Sequence, residues 1–222
     1  MTFYMESGLA LIPLQKSNRL GPYLAGLIEG DGSIYVPINL RTPKGALNVG
    51  GFEICFDIKD YVLAEFIKMK IGGFIRIRGQ ACILYIRNVQ PVFNLIALIN
   101  GHSFGLRTKI EALHRLITLY NNKHNTNIPL LPLDESPLQS NSWLSGYCDA
   151  YSGFYFNWIL NKKGLPISLQ YYLRLSQRRL YHRCSFVGKS YLYVMNKIAN
   201  LLSVPLRKID RKRQSGYQEL AI

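Results

Sequence analysis

Acidic residues are scarce in this chain, and its cysteines are few and far apart. Its 222 residues hold 13 Asp and Glu against 27 Lys and Arg, a formal charge of +14. That imbalance suggests an extended anionic partner such as nucleic acid. The four cysteines, Cys55, Cys82, Cys148 and Cys184, show none of the paired spacing of a zinc site or a disulfide framework. They are expected to be reduced and mostly buried. His102, His114, His124 and His182 likewise lack metal-ligand spacing and read as ordinary surface or core residues. No apolar run reaches the roughly 18 residues of a membrane span. The apolar stretch at 8–14 is too short for one and lacks a cleavage site, and an Arg-rich amphipathic presequence is missing. A soluble, unsecreted protein with no membrane partner is expected.

What is present is 48% hydrophobic residues, enough for one sizeable domain or two small ones of about 100 residues each. Two similar segments favour two. Residues 23–33 read Tyr-Leu-Ala-Gly-Leu-Ile-Glu-Gly-Asp-Gly-Ser, an apolar helix whose Ala25, Gly26 and Gly30 permit close backbone approach and whose end presents Asp31. Residues 143–154 read Trp-Leu-Ser-Gly-Tyr-Cys-Asp-Ala-Tyr-Ser-Gly-Phe, and Leu144 lies 120 positions after Leu24. The offset implies a tandem duplication. It aligns Glu29 with Asp149 and Asp31 with Tyr151. Glu29 and Asp149 are expected to hold local hydrogen bonds near helix ends.

Periodicity orders the rest. Residues 33–41 and 48–59 read as paired strands, with Phe52, Ile54, Phe56 and Ile58 on a core face and Glu53, Cys55, Asp57 and Lys59 on a face open to a ligand. A helix over 61–70, a hairpin over 74–87 and helices over 89–100 and 106–121 complete an αββαββα order. The second half repeats the motif helix, strands near 154–160 and 168–178, a helix near 189–202, and strands near 206–211 and 217–222. The boundaries that follow are an N-terminal extension at 1–21, a first half at 22–121, a Pro-, Asn- and Ser-rich linker at 122–142 and a second half at 143–222. That second half lacks the closing helices of the first, so it is either trimmed or covered by another protein chain.

Residues 24–32 resemble the motif of the LAGLIDADG homing endonucleases and intron maturases, position for position. The resemblance implies an α+β fold of two pseudo-symmetric halves forming a saddle of antiparallel sheets, with the two motif helices packed on the pseudo-twofold axis. It makes Asp31 a catalytic, metal-binding carboxylate and implies Mg2+ as the cofactor of an active enzyme; none is required for binding. Tyr151 replaces the second acid, and a phenol with a reference pKa near 10 is a poor metal ligand at neutral pH. Asp149, two positions earlier, would be turned by about 200° on a helix and does not substitute. Arg107 and Lys109 fall where the resemblance places basic residues supporting the transition state.

Other cations read as nucleic-acid contacts. Lys59, Arg76, Arg78 and Arg87 in the first half, and Gln170, Tyr172, Arg174 and Arg178 in the second, occupy strand positions that can face a groove, as the saddle strands of the family do. Arg207, Lys208, Arg211, Lys212 and Arg213 read as a backbone clamp. From 161 to 222 there are thirteen Lys and Arg against two acidic residues, so phosphate contact leans to this half. The expectation is a catalytically silent nucleic-acid binder, RNA favoured over DNA, in an organellar ribonucleoprotein such as a mitochondrial ribosome or as a splicing maturase. Its alternative is a metal-dependent, site-specific DNA homing endonuclease. The mitochondrion is the favoured compartment, the chloroplast the second.

Overall fold

The computed structural model describes residues 19–39, 41, 43–45, 48–103, 105, 107–178, 191–210 and 218–221. The elements run α1 (Leu20–Gly30), β1 (Ser33–Tyr35), β2 (Gly51–Asp57), a 3-10 turn (Ile58–Asp60), α2 (Tyr61–Ile71), β3 (Phe74–Arg78), β4 (Ala81–Ile86), α3 (Val89–Ile99) and α4 (Arg107–His124). A second 3-10 turn (Leu138–Ser140) precedes α5 (Trp143–Tyr151), β5 (Ser152–Leu160), β6 (Pro166–Arg178), α6 (Leu192–Leu201), β7 (Arg207–Asp210) and β8 (Gln218–Ala221). The fold is α+β, with two four-stranded antiparallel sheets of order β1-β2-β4-β3 and β5-β6-β8-β7. The chain divides into two compact units at Ala150 and Tyr151.

In the first unit the alternation in β2 sorts its residues as expected. Phe52, Ile54 and Phe56 are buried, and Cys55 and Asp57 are exposed. Their buried face meets Leu84 and Ile86 of β4 and joins Leu24 and Ile28 of α1, Ile67 of α2, Phe93 and Ile96 of α3, and Ile117 of α4 in the core. Truncating one such side chain to Ala costs about 2–5 kcal/mol. Tyr120 of α4 packs edge-on against Phe93 and donates its hydroxyl to Gly50 O at 3.1 Å, and burial pushes that hydroxyl up to about 12.

The first strand is shorter than the sequence suggests, three residues instead of the whole of 33–41. Pro37 cannot donate to a ladder, and its position after Val36 ends the pairing. The β3–β4 hairpin turns at Gly79, whose φ of +58 suits a residue without a Cβ. The expectation of mostly buried cysteines fails: Cys82 is buried, Cys148 is half-buried and Cys55 is exposed, while Cys184 lies outside the described residues. Cys55 sits on the outward face because strand alternation turns Glu53, Cys55 and Asp57 away from the core.

The second unit is a long hairpin with α6 and a short pair of strands. Asn161 shapes the hairpin turn by accepting from the backbone N–H groups of Lys163 and Leu165, each at 2.9 Å, beside Gly164 at φ +77. Strand pairing places Phe154 opposite Leu173, Phe156 opposite Tyr171 and Trp158 opposite Leu169 on one face. Tyr155 opposite Tyr172 and Asn157 opposite Gln170 share the other.

Candidate functional site

The site grows from the packing of α1 against α5 within the first unit. Gly26 and Gly146, equivalent under the duplication, carry the closest approach. A Cβ on Gly26 would stand 2.0 Å from Trp143 O, and one on Gly146 would stand 1.9 Å from Tyr23 O. Only glycine lets the two backbones meet there. Around this contact the helices exchange hydrogen bonds. The Trp143 indole N–H donates to Glu29 at 3.1 Å, and the Tyr23 hydroxyl donates to Asp149 at 2.9 Å. Burial, reinforced by Asp149, raises the Tyr23 hydroxyl pKa. Glu29 and Asp149 therefore tie the two helices together, where the sequence suggested only local bonds. The aromatic residue one position before each motif, Tyr23 and Trp143, was the signal for it.

This crossing fixes where α1 ends. The backbone N–H groups of Asp31 and Gly32 close the last turn on Leu27 O at 3.1 Å and Ile28 O at 3.0 Å. A Cβ on Gly32 would lie 2.6 Å from Ile28 Cα, so the chain can leave the helix here only as glycine. Lys109, in the first turn of α4, donates its ammonium to Gly32 O. Its charge partly offsets the desolvation that raises the Asp31 carboxyl. The Cys55 thiol, although exposed, is raised by partial desolvation and then by the Asp31 charge. Asp31, Lys109 and Cys55 thus form one cluster at the head of the first sheet. Arg107 is the first residue of α4, two positions before Lys109.

Magnesium takes oxygen ligands, commonly one or two carboxylates together with substrate phosphates. Among the described residues no three His, Cys, Asp or Glu gather around a common point. Asp31 offers one carboxylate with an ammonium beside it. This donor set fits a hard divalent cation poorly.

The outward face of the first sheet is laid out by its register. Glu53, Tyr85 and Phe74 form one row, Cys55, Ile83 and Arg76 the next, and Asp57, Ala81 and Arg78 the third. Arg76 and Arg78 are exposed, and the Arg76 guanidinium lies 5.3 Å from the Phe74 ring centroid and 5.7 Å from that of Tyr85. Arg87 pairs with Glu53 and also covers the Tyr85 ring at 4.9 Å. Lys59 is exposed in the 3-10 turn, where its backbone N–H is capped by Asp57 at 3.0 Å. The face is therefore a mixture of cations, aromatics and carboxylates. Phe74 and Tyr85 were not singled out by sequence, although their alternation with the arginines marks the same face.

In the second unit Gln170, Tyr172 and Arg174 share one exposed face of β6, as their spacing implies. Arg178 ends β6, and Arg207 and Lys208 open β7. Arg211, Lys212 and Arg213 lie outside the described residues.

No family model matches the chain. Among curated proteins it is 33% identical over 213 residues to the intron-encoded DNA endonuclease aI3 of Saccharomyces cerevisiae, covering 87% of this chain and 50% of that protein. It is 27% identical over 134 residues to the intron-encoded RNA maturase bI4 of the same yeast, covering 60% of this chain and 18% of that protein. The chain thus spans about half the length of the first of these relatives, and less of the second. Among solved structures, the LAGLIDADG homing endonuclease I-GzeII in complex with its DNA target superposes with a TM-score of 0.59 at 13% identity, over 92% of this chain and 78% of that one. At that identity the likeness concerns the fold.

Proposed function

This chain belongs to the LAGLIDADG family of homing endonucleases and intron maturases, and from that premise we propose that it binds nucleic acid without cutting both strands of a DNA duplex. Its target in this reading is structured RNA, held in an organellar ribonucleoprotein or an intron-splicing complex, and its compartment is the mitochondrion, in keeping with intron-encoded relatives. Nucleic acid is the one partner the reading requires.

The carrying observation is the register of the second motif. Tyr23 holds Asp149 as Trp143 holds Glu29, so the 120-residue offset puts Tyr151, and no carboxylate, at the position of Asp31. Asp149 is committed to the helix crossing and is not available to slip forward. Cutting both strands asks for charge compensation at two scissile phosphates, and a phenol with a reference pKa near 10 supplies none at neutral pH. Binding asks only for the cationic faces and the net charge of +14, which supply salt-dependent phosphate contact.

A DNA homing endonuclease is the second reading. It is favoured by the relative at 33% identity, itself named a DNA endonuclease, and by the retention of Asp31 beside Lys109. The two are separated by crosslinking the full-length protein in its native organelle and sequencing all bound RNA and DNA. Enrichment of ribosomal or intron RNA supports the first reading. Enrichment of a single duplex DNA site, cut by the purified protein in magnesium, overturns it.

A further inference from the structure

We infer that Tyr155 and Tyr172, with Arg174 on one side and Asn157 and Gln170 on the other, form a stacking site for one unpaired nucleotide. The inference rests on the RNA reading above and deepens it by naming the form of RNA the second unit takes.

Antiparallel pairing sets Gly153 opposite Arg174, Tyr155 opposite Tyr172 and Asn157 opposite Gln170. These three pairs are successive rows on one face, separated by two residues along each strand, about 6.5–7 Å. The two tyrosine rings stack with centroids 4.6 Å apart and planes 24° from parallel. They remain 44% and 52% exposed, so each ring covers one face of its neighbour and leaves the other in solvent. Sequence-tolerant single-strand binders use such exposed rings as platforms, because every base has a π-face.

The neighbouring rows complete a nucleotide's needs. A Cβ on Gly153 would meet nothing within 4 Å, so the surface is open where Arg174 extends. Arg174, one row from the rings, donates from Nε to Ser176 Oγ at 3.1 Å, the next position on that face beyond it. A guanidinium there suits a phosphate. On the other side the Asn157 and Gln170 amides carry both donors and acceptors and suit a base edge.

The first sheet does not offer an equivalent platform. Tyr35, which aligns with Tyr155, faces Gly51 instead of a second ring. Its aromatic pair, Phe74 and Tyr85, differs in that only one ring is open: Phe74 is 37% exposed under Arg76, while Tyr85 is 7% exposed and lies under both Arg76 and Arg87. The bases of a duplex stack on one another, so a platform of this kind accepts a base already splayed out. Loops and bulges of RNA present such bases.

The test uses the full-length protein and two RNA hairpins that differ only in carrying 2-aminopurine in the loop or in the stem. Stacking on tyrosine is expected to quench the loop probe and not the stem probe. Tyr155→Leu with Tyr172→Leu should abolish the quenching and weaken loop-hairpin binding roughly 5- to 100-fold, whereas the double Phe variant should retain both. Unchanged quenching in the Leu variant overturns the site. A second measurement needs no variant: 5-iodouridine in the loop, photocrosslinked to the unaltered protein, should modify the peptides bearing Tyr155 or Tyr172. RNA retention with adducts confined to other peptides overturns this site and leaves the RNA reading standing. Retention of duplex DNA alone, with neither hairpin bound, removes both.

Discussion

Trp143 and Glu29, 114 residues apart in the chain, are joined by an indole N–H donated to a buried carboxylate at 3.1 Å. Their duplicated counterparts, Tyr23 and Asp149, are joined by a hydroxyl at 2.9 Å in a more exposed setting. The two bonds flank one crossing of α1 and α5, and they commit Glu29 and Asp149, the equivalent acidic residues of the two motifs.

The two bonds are not equal in energy. Trp143→Phe removes a buried donor to a charged group and trims a buried ring, and should cost about 2–4 kcal/mol. Tyr23→Phe removes the same kind of bond between a half-buried tyrosine and an exposed carboxylate and should cost about 0.5–1.5 kcal/mol. Urea unfolding of the three proteins measures both, and equal costs would show that burial of the Glu29 pair does not set its strength.

The glycines at the crossing are expected to tolerate nothing larger. Gly26→Ala and Gly146→Ala each place a Cβ within 2.0 Å of a carbonyl oxygen on the facing helix, and backbone cannot give way as a side-chain tip can. Each should destabilise by roughly 1–3 kcal/mol or more. Gly153→Ala, where the added carbon meets open space, is the control and should melt with the parent.

Asp31 makes stability depend on pH with a definite sign. Desolvation holds its carboxyl above the ordinary value of 3.8, against the opposing charge of Lys109. The folded state therefore binds this proton more tightly than the unfolded chain. Its contribution is fully present below the unfolded value and is lost as pH rises through the raised folded one. Asp31→Asn should accordingly melt above the parent at pH 7, with the gap closing as pH falls below 3.8. Thermal melts across pH 3 to 7 would show it, and a parent that melts higher at pH 7 would mean the Lys109 attraction dominates.

Restoring an acid to the second motif tests whether the missing charge alone separates this chain from a nuclease. Tyr151→Asp should produce metal-dependent nicking or cleavage of a bound duplex where the parent gives none. Supercoiled-plasmid relaxation reads this directly, and inactivity in every divalent metal would locate the loss in the binding faces as well. In the parent, Asp31→Asn should leave RNA affinity within about twofold, because phosphate contact supplies most of the binding.

Local pattern carried much of this structure. The sequence determined the motif helices, through small residues spaced for a close crossing. It determined the inward face of β2, through alternation that puts Phe52, Ile54 and Phe56 on one side. It determined the shared face of Gln170, Tyr172 and Arg174 by the same rule. These features depend on a period of two or on a helical turn, and neighbours in the chain are enough to specify them.

Tertiary structure decided the partners. Nothing within a few residues of Glu29 names Trp143, or within a few residues of Arg87 names Glu53, which offsets part of a face that looks more cationic in sequence. Alternation alone turned Cys55 outward, but only the fold brought it under the influence of Asp31. The stacking of Tyr155 on Tyr172 depends on the hairpin register that the Asn161 turn sets. Such pairings join segments brought together only when the core closes, so they are properties of the packed chain and not of any stretch of it.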